Sequence, residues 1–142
     1  MKDTKIYSGF PGVGKTYMFN RYKNLQKEVI DSDSSEFDKS NFPDNYIFHI
    51  KSNIGLVDVI LVSSHQEVRD ALVREGIPFS LIYPKREAKL EYLARYRMRG
   101  SSENFLQLVR NNWDNWIDGC QNQIGCEHIV LPRLTYLNHV IY

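Results

Sequence analysis

Eight residues near the start of the chain carry the strongest chemical signal. Gly9-Phe10-Pro11-Gly12-Val13-Gly14-Lys15-Thr16 has the pattern G-x-x-x-x-G-K-[ST]. Glycines at this spacing let the backbone curl tightly and turn several N–H groups toward an anion. A helix beginning near Lys15 adds the positive end of its dipole. The stretch is suited to cradling phosphates. Gly9, Pro11, Gly12, Val13, Gly14, Lys15 and Thr16 would surround a nucleotide, Lys15 would reach its β- and γ-phosphates, and the Thr16 hydroxyl would hold Mg²⁺. A nucleoside triphosphate, ATP first among them, is the ligand this chemistry requires.

Two further groups of residues can act on a bound phosphate. Asp31-Ser32-Asp33 sets two carboxylates at i, i+2, which in extended chain project to the same side. A polar turn with capping aspartates is the competing reading. Later, Lys85, Arg86, Lys89, Arg95, Arg97 and Arg99 face only Glu87 and Glu91 between positions 85 and 99. On a helix, Tyr92, Arg95, Tyr96 and Arg99 share one face; Leu90, Leu93, Ala94 and Met98 form the other, with Arg97 projecting into it. Arg95 over Arg99 at i, i+4 is unfavourable by a few tenths of a kcal/mol unless an anion separates them. The competing reading is a solvated basic face.

The elements that must position these groups alternate between strand and helix. Lys5–Ser8 is a short strand feeding the glycine-rich loop, and Lys15–Leu25 is a helix with Met18, Tyr22 and Leu25 on one side. Glu28–Asp31 is a second strand. Pro43–Asn45 opens a helix to about Asn53, with Gly55 as its stop. Val57–Val62 is the most apolar strand. Ser64-His65-Gln66-Glu67 reads as a capping box, with Ser64 as N-cap of a helix that Gly76 ends. Phe79–Tyr83 is a fourth strand stopped by Pro84. Helices follow at Lys85–Arg99 and Ser102–Asn122, then a strand at His128–Leu131 and a short helix at Thr135–Ile141. Strands alternating with helices predict an α/β domain: a three-layer, doubly wound, five-stranded parallel sheet over residues 1–142. Both the glycine-rich loop and Asp31 then lie on the carboxyl edge of the sheet, where such folds bind ligands.

With these motifs in this order, the chain resembles the P-loop kinases of small molecules, the group of nucleotide, nucleoside and shikimate kinases. More narrowly it resembles phage-encoded nucleotide or nucleoside kinases. The resemblance rests on Gly9–Thr16, Asp31-Ser32-Asp33 and Arg95–Arg99, and it spans nearly the whole chain in element order. It implies that Asp31 assists Mg²⁺ and that Asp33 orients or deprotonates an acceptor hydroxyl. It also implies that residues of about 85–101 form a LID, whose Arg95 and Arg99 stabilise the transferring phosphoryl group, with Gly100 as a hinge. Residues of about 34–56 would bind the acceptor. One departure stands out. The third strand ends Ile60-Leu61-Val62-Ser63-Ser64-His65, without the Walker B aspartate, and Asp58 lies at its far end. That shifts weight onto Asp31 and argues against a motor-type ATPase.

The acceptor is less legible. Positions 34–56 hold Lys39 and Lys51 but no arginine to grip a phosphate, and Arg69 is the nearest candidate for that role. Nucleoside-like and nucleotide-like acceptors therefore stand level. Other hydroxyl compounds, a modified base in DNA and a non-catalytic nucleotide-binding regulator are the alternatives. Phe37, Phe42 and Tyr46 are either base-stacking groups or core, while Phe105, Val109, Trp113 and Trp116 form a stripe that reads as core. His65 reads as capping-box filler.

Composition sets the outer bounds. The chain has 142 residues, is 42% hydrophobic and 25% charged, and carries a formal net charge of +1. That is an ordinary globular composition with no bulk attraction for nucleic acid. A small-molecule acceptor is the expected partner, nucleic acid is not favoured, and a monomer or homodimer is expected. No apolar run approaches membrane-spanning length and the first ten residues hold no secretory core. Cys120 and Cys126 read as free thiols of a cytoplasmic protein.

Overall fold

The computed structural model describes residues 1–132, and the helix expected at Thr135–Ile141 lies outside them. Five strands form one parallel sheet in the order β2-β3-β1-β4-β5. They are β1 (Lys5–Gly9), β2 (Val29–Asp31), β3 (Val59–Ser63), β4 (Ser80–Pro84) and β5 (Glu127–Leu131). The helices between them are α1 (Lys15–Asn24), α2 (Asp44–Asn53), α3 (Gln66–Arg74), α4 (Lys89–Met98) and α5 (Glu103–Gln121). This is the expected α/β parallel sheet flanked by helices.

The strand order follows from what each strand can bury. Every residue of β3, VILVS, is buried, as a strand covered on both faces must be. It pairs with β1 from Lys5↔Val59 to Gly9↔Ser63, and with β2 from Val29↔Val59 to Asp31↔Leu61. β4 covers the other side of β1, and β5 covers β4. Helix α5 presents Leu106, Val109, Trp113, Ile117 and Cys120 to the core at helical spacing. Ser102 caps it by accepting from the Phe105 N–H at 3.1 Å.

The sheet order also fixes where a ligand can sit. The chain leaves β1 toward β2 and leaves β3 in the opposite direction toward β4. That reversal opens a crevice at the carboxyl ends of β1 and β3. Gly9, Asp31 and Ser63 are the last residues of β1, β2 and β3, so all three strands deliver chemistry to that edge.

Several local expectations are corrected. The capping box does not form: α3 begins at Gln66 with His65 as an N-cap that makes no side-chain cap bond. The Ser64 carbonyl instead accepts from Arg69 Nε at 2.9 Å. Pro84 ends β4 from within, opposite Leu131, rather than stopping it from outside. The basic helix is broken into a 3-10 turn over Arg86–Ala88 and α4. Its inner face is Tyr92, Leu93 and Tyr96, while Leu90 and Met98 are exposed, as is Arg97.

A cleft at the carboxyl edge of the sheet

The loop between β1 and α1 has the backbone its glycines allow. Gly12 and Gly14 sit at φ +90° and +104°, a region that side chains rarely adopt. Val13 is fully buried beneath the loop, and its N–H reaches the Phe10 carbonyl at 3.2 Å. The first α1 hydrogen bond runs from Met18 N–H to the Gly14 carbonyl at 3.0 Å. The earlier amides of that turn have no acceptor within the helix, so they are available to an anion. Lys15 folds back over the loop, and its Nζ donates to the Gly9 carbonyl at 3.0 Å. Burial lowers its pKa; the Asp31 and Asp33 charges work the other way.

This loop floors an open cleft of about 810 Å³. Of the residues expected at the site, Gly9, Pro11, Gly12, Gly14, Lys15, Thr16, Asp31, Asp33, Arg95 and Arg99 all line it. Val13 does not; it belongs to the core. The opposite wall is the segment Ser32–Glu36, with Lys39 and the turn Ser63–His65.

The two aspartates differ. Asp33 caps the 3-10 turn at Ser34–Glu36, and its Oδ1 accepts from Ser35 N at 2.9 Å and Ser35 Oγ at 2.8 Å. Those bonds hold its pKa below the usual carboxylate range. The carboxylate thus fills the turn-capping role with Oδ1, on a residue that lines the cleft. Asp31 ends β2, and partial burial raises its pKa while Lys15 opposes the shift. Behind both, Tyr46 ties the strand ends together. Its hydroxyl donates to the Ser32 carbonyl at 2.6 Å and accepts from Ser63 N–H at 3.2 Å. Ser63 Oγ in turn reaches Ser34 Oγ at 3.0 Å. Tyr46 is fully buried, and Phe37 and Phe42 pack on its ring. Of the two readings for this aromatic group, the structure selects core.

Helix α4 is anchored on the loop. Tyr96 is buried and its hydroxyl donates to the Pro11 carbonyl at 2.6 Å. Arg95 Nη1 donates to the Gly12 carbonyl and Nη2 to Glu91, both at 2.8 Å. Its guanidinium lies 4.3 Å from the Tyr92 ring centre, and that of Arg99 lies 5.0 Å from Tyr96. Arg99 is exposed at the cleft rim. Gly100 at φ +83° closes the helix, with Ser101 N–H on Tyr96 O and Gly100 N–H on Arg97 O, both at 3.0 Å. That is a Schellman stop. In this arrangement α4 is a wall of the cleft, with one arginine committed to the loop and one at the rim.

Two residues change standing. Arg69 is buried and pinned: Nε bonds Ser64 O, and Nη1 bonds Gly119 O at 2.7 Å and Gln123 Oε1 at 3.1 Å. It ties α3 to α5 and does not line the cleft. His65 does line it, and surrounding protein and Lys15 lower its imidazole pKa. The signal for His65 was its position just past the carboxyl end of a central strand. Cys120 and Cys126 are free thiols.

Among the described residues no cluster of three or more His, Cys, Asp or Glu side chains stands ready to hold a metal ion. Mg²⁺ needs less than that, because it is commonly held by one or two protein oxygens, water and the nucleotide's own phosphates. Thr16 and Asp31, on the same cleft, fit that donor set. No helix among the described residues is long and apolar enough to cross a membrane.

No protein-family model matches the sequence, and no curated protein matches it. A solved structure does resemble it: the crystal structure of polyphosphate kinase 2 from Arthrobacter aurescens TC1. That match has a TM-score of 0.61 at 9% identity and covers 92% of this chain. It covers 61% of the other chain, so this protein spans less than two thirds of that length. At 9% identity the shared property is the fold, and the G-x-x-x-x-G-K-T loop stands between β1 and α1 as that fold requires. The chain is an α/β protein of the P-loop NTPase fold.

Proposed function

We propose that the chain is an ATP- and Mg²⁺-dependent phosphotransferase whose acceptor is a nucleoside or a nucleoside monophosphate. The observation that carries this reading is one cleft that faces the phosphate loop with the Asp31 and Asp33 carboxylates and the Arg99 guanidinium. The loop amides and Lys15 bind the triphosphate, and Lys15 exchanges the Gly9 carbonyl for phosphate oxygens. Thr16 and Asp31 hold Mg²⁺, which when bound neutralises charge on the transferring group. The Asp33 carboxylate orients the acceptor hydroxyl. Arg99 at the rim meets the charge of the transition state, while Arg95 acts by fixing the Gly12 carbonyl.

The acceptor side favours a hydroxyl over a phosphate. Asp31, Asp33 and Glu36 line it against Lys39, and the one guanidinium expected to grip a monophosphate, Arg69, is bonded elsewhere. A negative wall repels a second phosphate and even more a polyphosphate chain. The reading keeps the likeness to phage-encoded nucleoside kinases and an intracellular, small-molecule role. The test is ADP formation from Mg²⁺-ATP across nucleosides, nucleoside monophosphates, polyphosphate and hydroxymethylated DNA. Stimulation by a nucleoside is expected. ATP binding without stimulation by any acceptor would turn the reading toward a nucleotide-binding regulator.

A further inference from the structure

A second cavity, of about 210 Å³, lies between α3 and α5 beneath the phosphate loop. It shares Pro11, Ser64 and His65 with the main cleft, so one ligand can occupy both. Its volume is below the roughly 300–1,000 Å³ of drug-sized pockets and suits a single planar ring system.

The walls have the chemistry of a heteroaromatic ring. Trp116 and Phe10 supply aromatic surface, their ring centres 6.3 Å apart and set edge to face. Phe10 is buried, whereas Trp116, like Phe105, is a half-exposed member of its helical stripe. Gln66 on α3 and Asn115 on α5, both at exposed positions, also line it. Neither side-chain amide makes a hydrogen bond within the described residues. An amide offers a donor and an acceptor together, the pattern needed to read a base edge. No carboxylate lines this cavity, unlike the main cleft, and the Arg69 charge is already spread over three hydrogen bonds. A neutral ring matches such a lining better than a cation or a second phosphate does.

We infer that this cavity holds the nucleobase of the phosphoryl acceptor, between Trp116 and the Gln66 and Asn115 amides, with the sugar passing His65 into the cleft. The inference rests on the acceptor reading above. It also gives Trp116 a role beyond packing.

The test is a titration of intrinsic tryptophan fluorescence with each common nucleoside, in the presence of Mg²⁺ and a non-hydrolysable ATP analogue. Calorimetry supplies the affinities. At least one nucleoside should quench the wild-type signal. Trp116→Phe should abolish the quench while calorimetry still detects binding. Gln66→Ala and Asn115→Ala sit at exposed positions, and melting curves check their fold. Each should weaken nucleoside binding about tenfold, the loss of one hydrogen-bonded edge, and leave the ATP-analogue affinity unchanged. Loss of ATP-analogue affinity in those variants would place the donor's base in the cavity and overturn the inference. So would the absence of any nucleoside binding, or wild-type nucleoside affinity in both variants. Nucleoside binding that needs Gln66 and Asn115, with no ADP formed, would uphold the cavity and refute the phosphotransferase reading instead.

Discussion

Replacing Gly12 with alanine probes the contact between α4 and the phosphate loop. A Cβ there would lie 2.9 Å from Tyr96 Cε1 and 3.2 Å from Tyr92 Cδ2. Neither ring has room to retreat, since both are buried and Tyr96 is tied to the Pro11 carbonyl. The backbone at φ +90° adds its own strain, about 1–2 kcal/mol for a residue with a side chain. Overpacking adds about 1–3 kcal/mol. The sum is about 2–5 kcal/mol, to be released by unfolding or by displacing the loop. Released wholly through the fold, it lowers the melting temperature by about 6–15 °C in a domain of this size. Released through the loop, about 3 kcal/mol weakens nucleotide binding roughly a hundredfold. Calorimetric titration with an ATP analogue, beside a thermal melt, measures both routes.

Tyr96→Leu then separates the two sources of strain. It removes the closer ring edge and leaves the Tyr92 contact and the backbone angle, so in the double variant much of the steric share should return as a coupling of about 1–2 kcal/mol. Strict additivity, or a Gly12→Ala protein with wild-type affinity and melting, would refute the docked geometry of α4.

Other expectations follow from the same contacts. Arg69→Met removes the donors to Ser64 O, Gly119 O and Gln123 Oε1, and should lower stability by about 2–4 kcal/mol in a denaturant titration. A stability change near zero would contradict its role as the tie between α3 and α5. Asp33→Ala should cost about 1 kcal/mol through the lost cap, whereas Asp33→Asn keeps the cap; both should reduce phosphoryl transfer by far more than they reduce ATP affinity. Wild-type turnover in Asp33→Asn would return the residue to a turn-capping role alone. Burial pushes the Cys120 thiol up to about 11, because it disfavours the thiolate. At pH 8 only about one Cys120 in a thousand is therefore reactive, and its alkylation should rise about tenfold per pH unit from there. Peptide mapping after iodoacetamide should find Cys126 modified first, and fast labelling of Cys120 at neutral pH would contradict its burial.

The loop and the sheet were readable from the sequence because local rules govern them. A G-x-x-x-x-G-K-T spacing dictates backbone shape, and strand–helix alternation dictates a parallel sheet. Asp31 and Asp33 were placed on the correct edge because strand ends define that edge. Arg69 was misread because its helix brings it near the site, while its partners Gly119 and Gln123 lie 50 and 54 positions away in sequence. The sequence left open which face of α4 turns inward, because helical spacing offers two apolar faces. The tyrosines took the inside since Tyr96 can bury its ring and still satisfy a loop carbonyl. Ser64 and His65 looked like a helix cap in sequence. The guanidinium of Arg69 claims the Ser64 carbonyl instead, and His65 faces the cleft.

The central claim is transfer of a phosphoryl group from the nucleotide held by the loop. Incubation with γ-labelled ATP, Mg²⁺ and the nucleosides and nucleoside monophosphates, in wild type and in Lys15→Ala, measures it directly. Label should move to a nucleoside with the wild-type protein. It should stay on ATP with Lys15→Ala, whose melting curve remains that of a folded protein. Equal transfer by both proteins, or no transfer to any nucleoside or nucleoside monophosphate by a wild-type protein that binds ATP, would contradict the account.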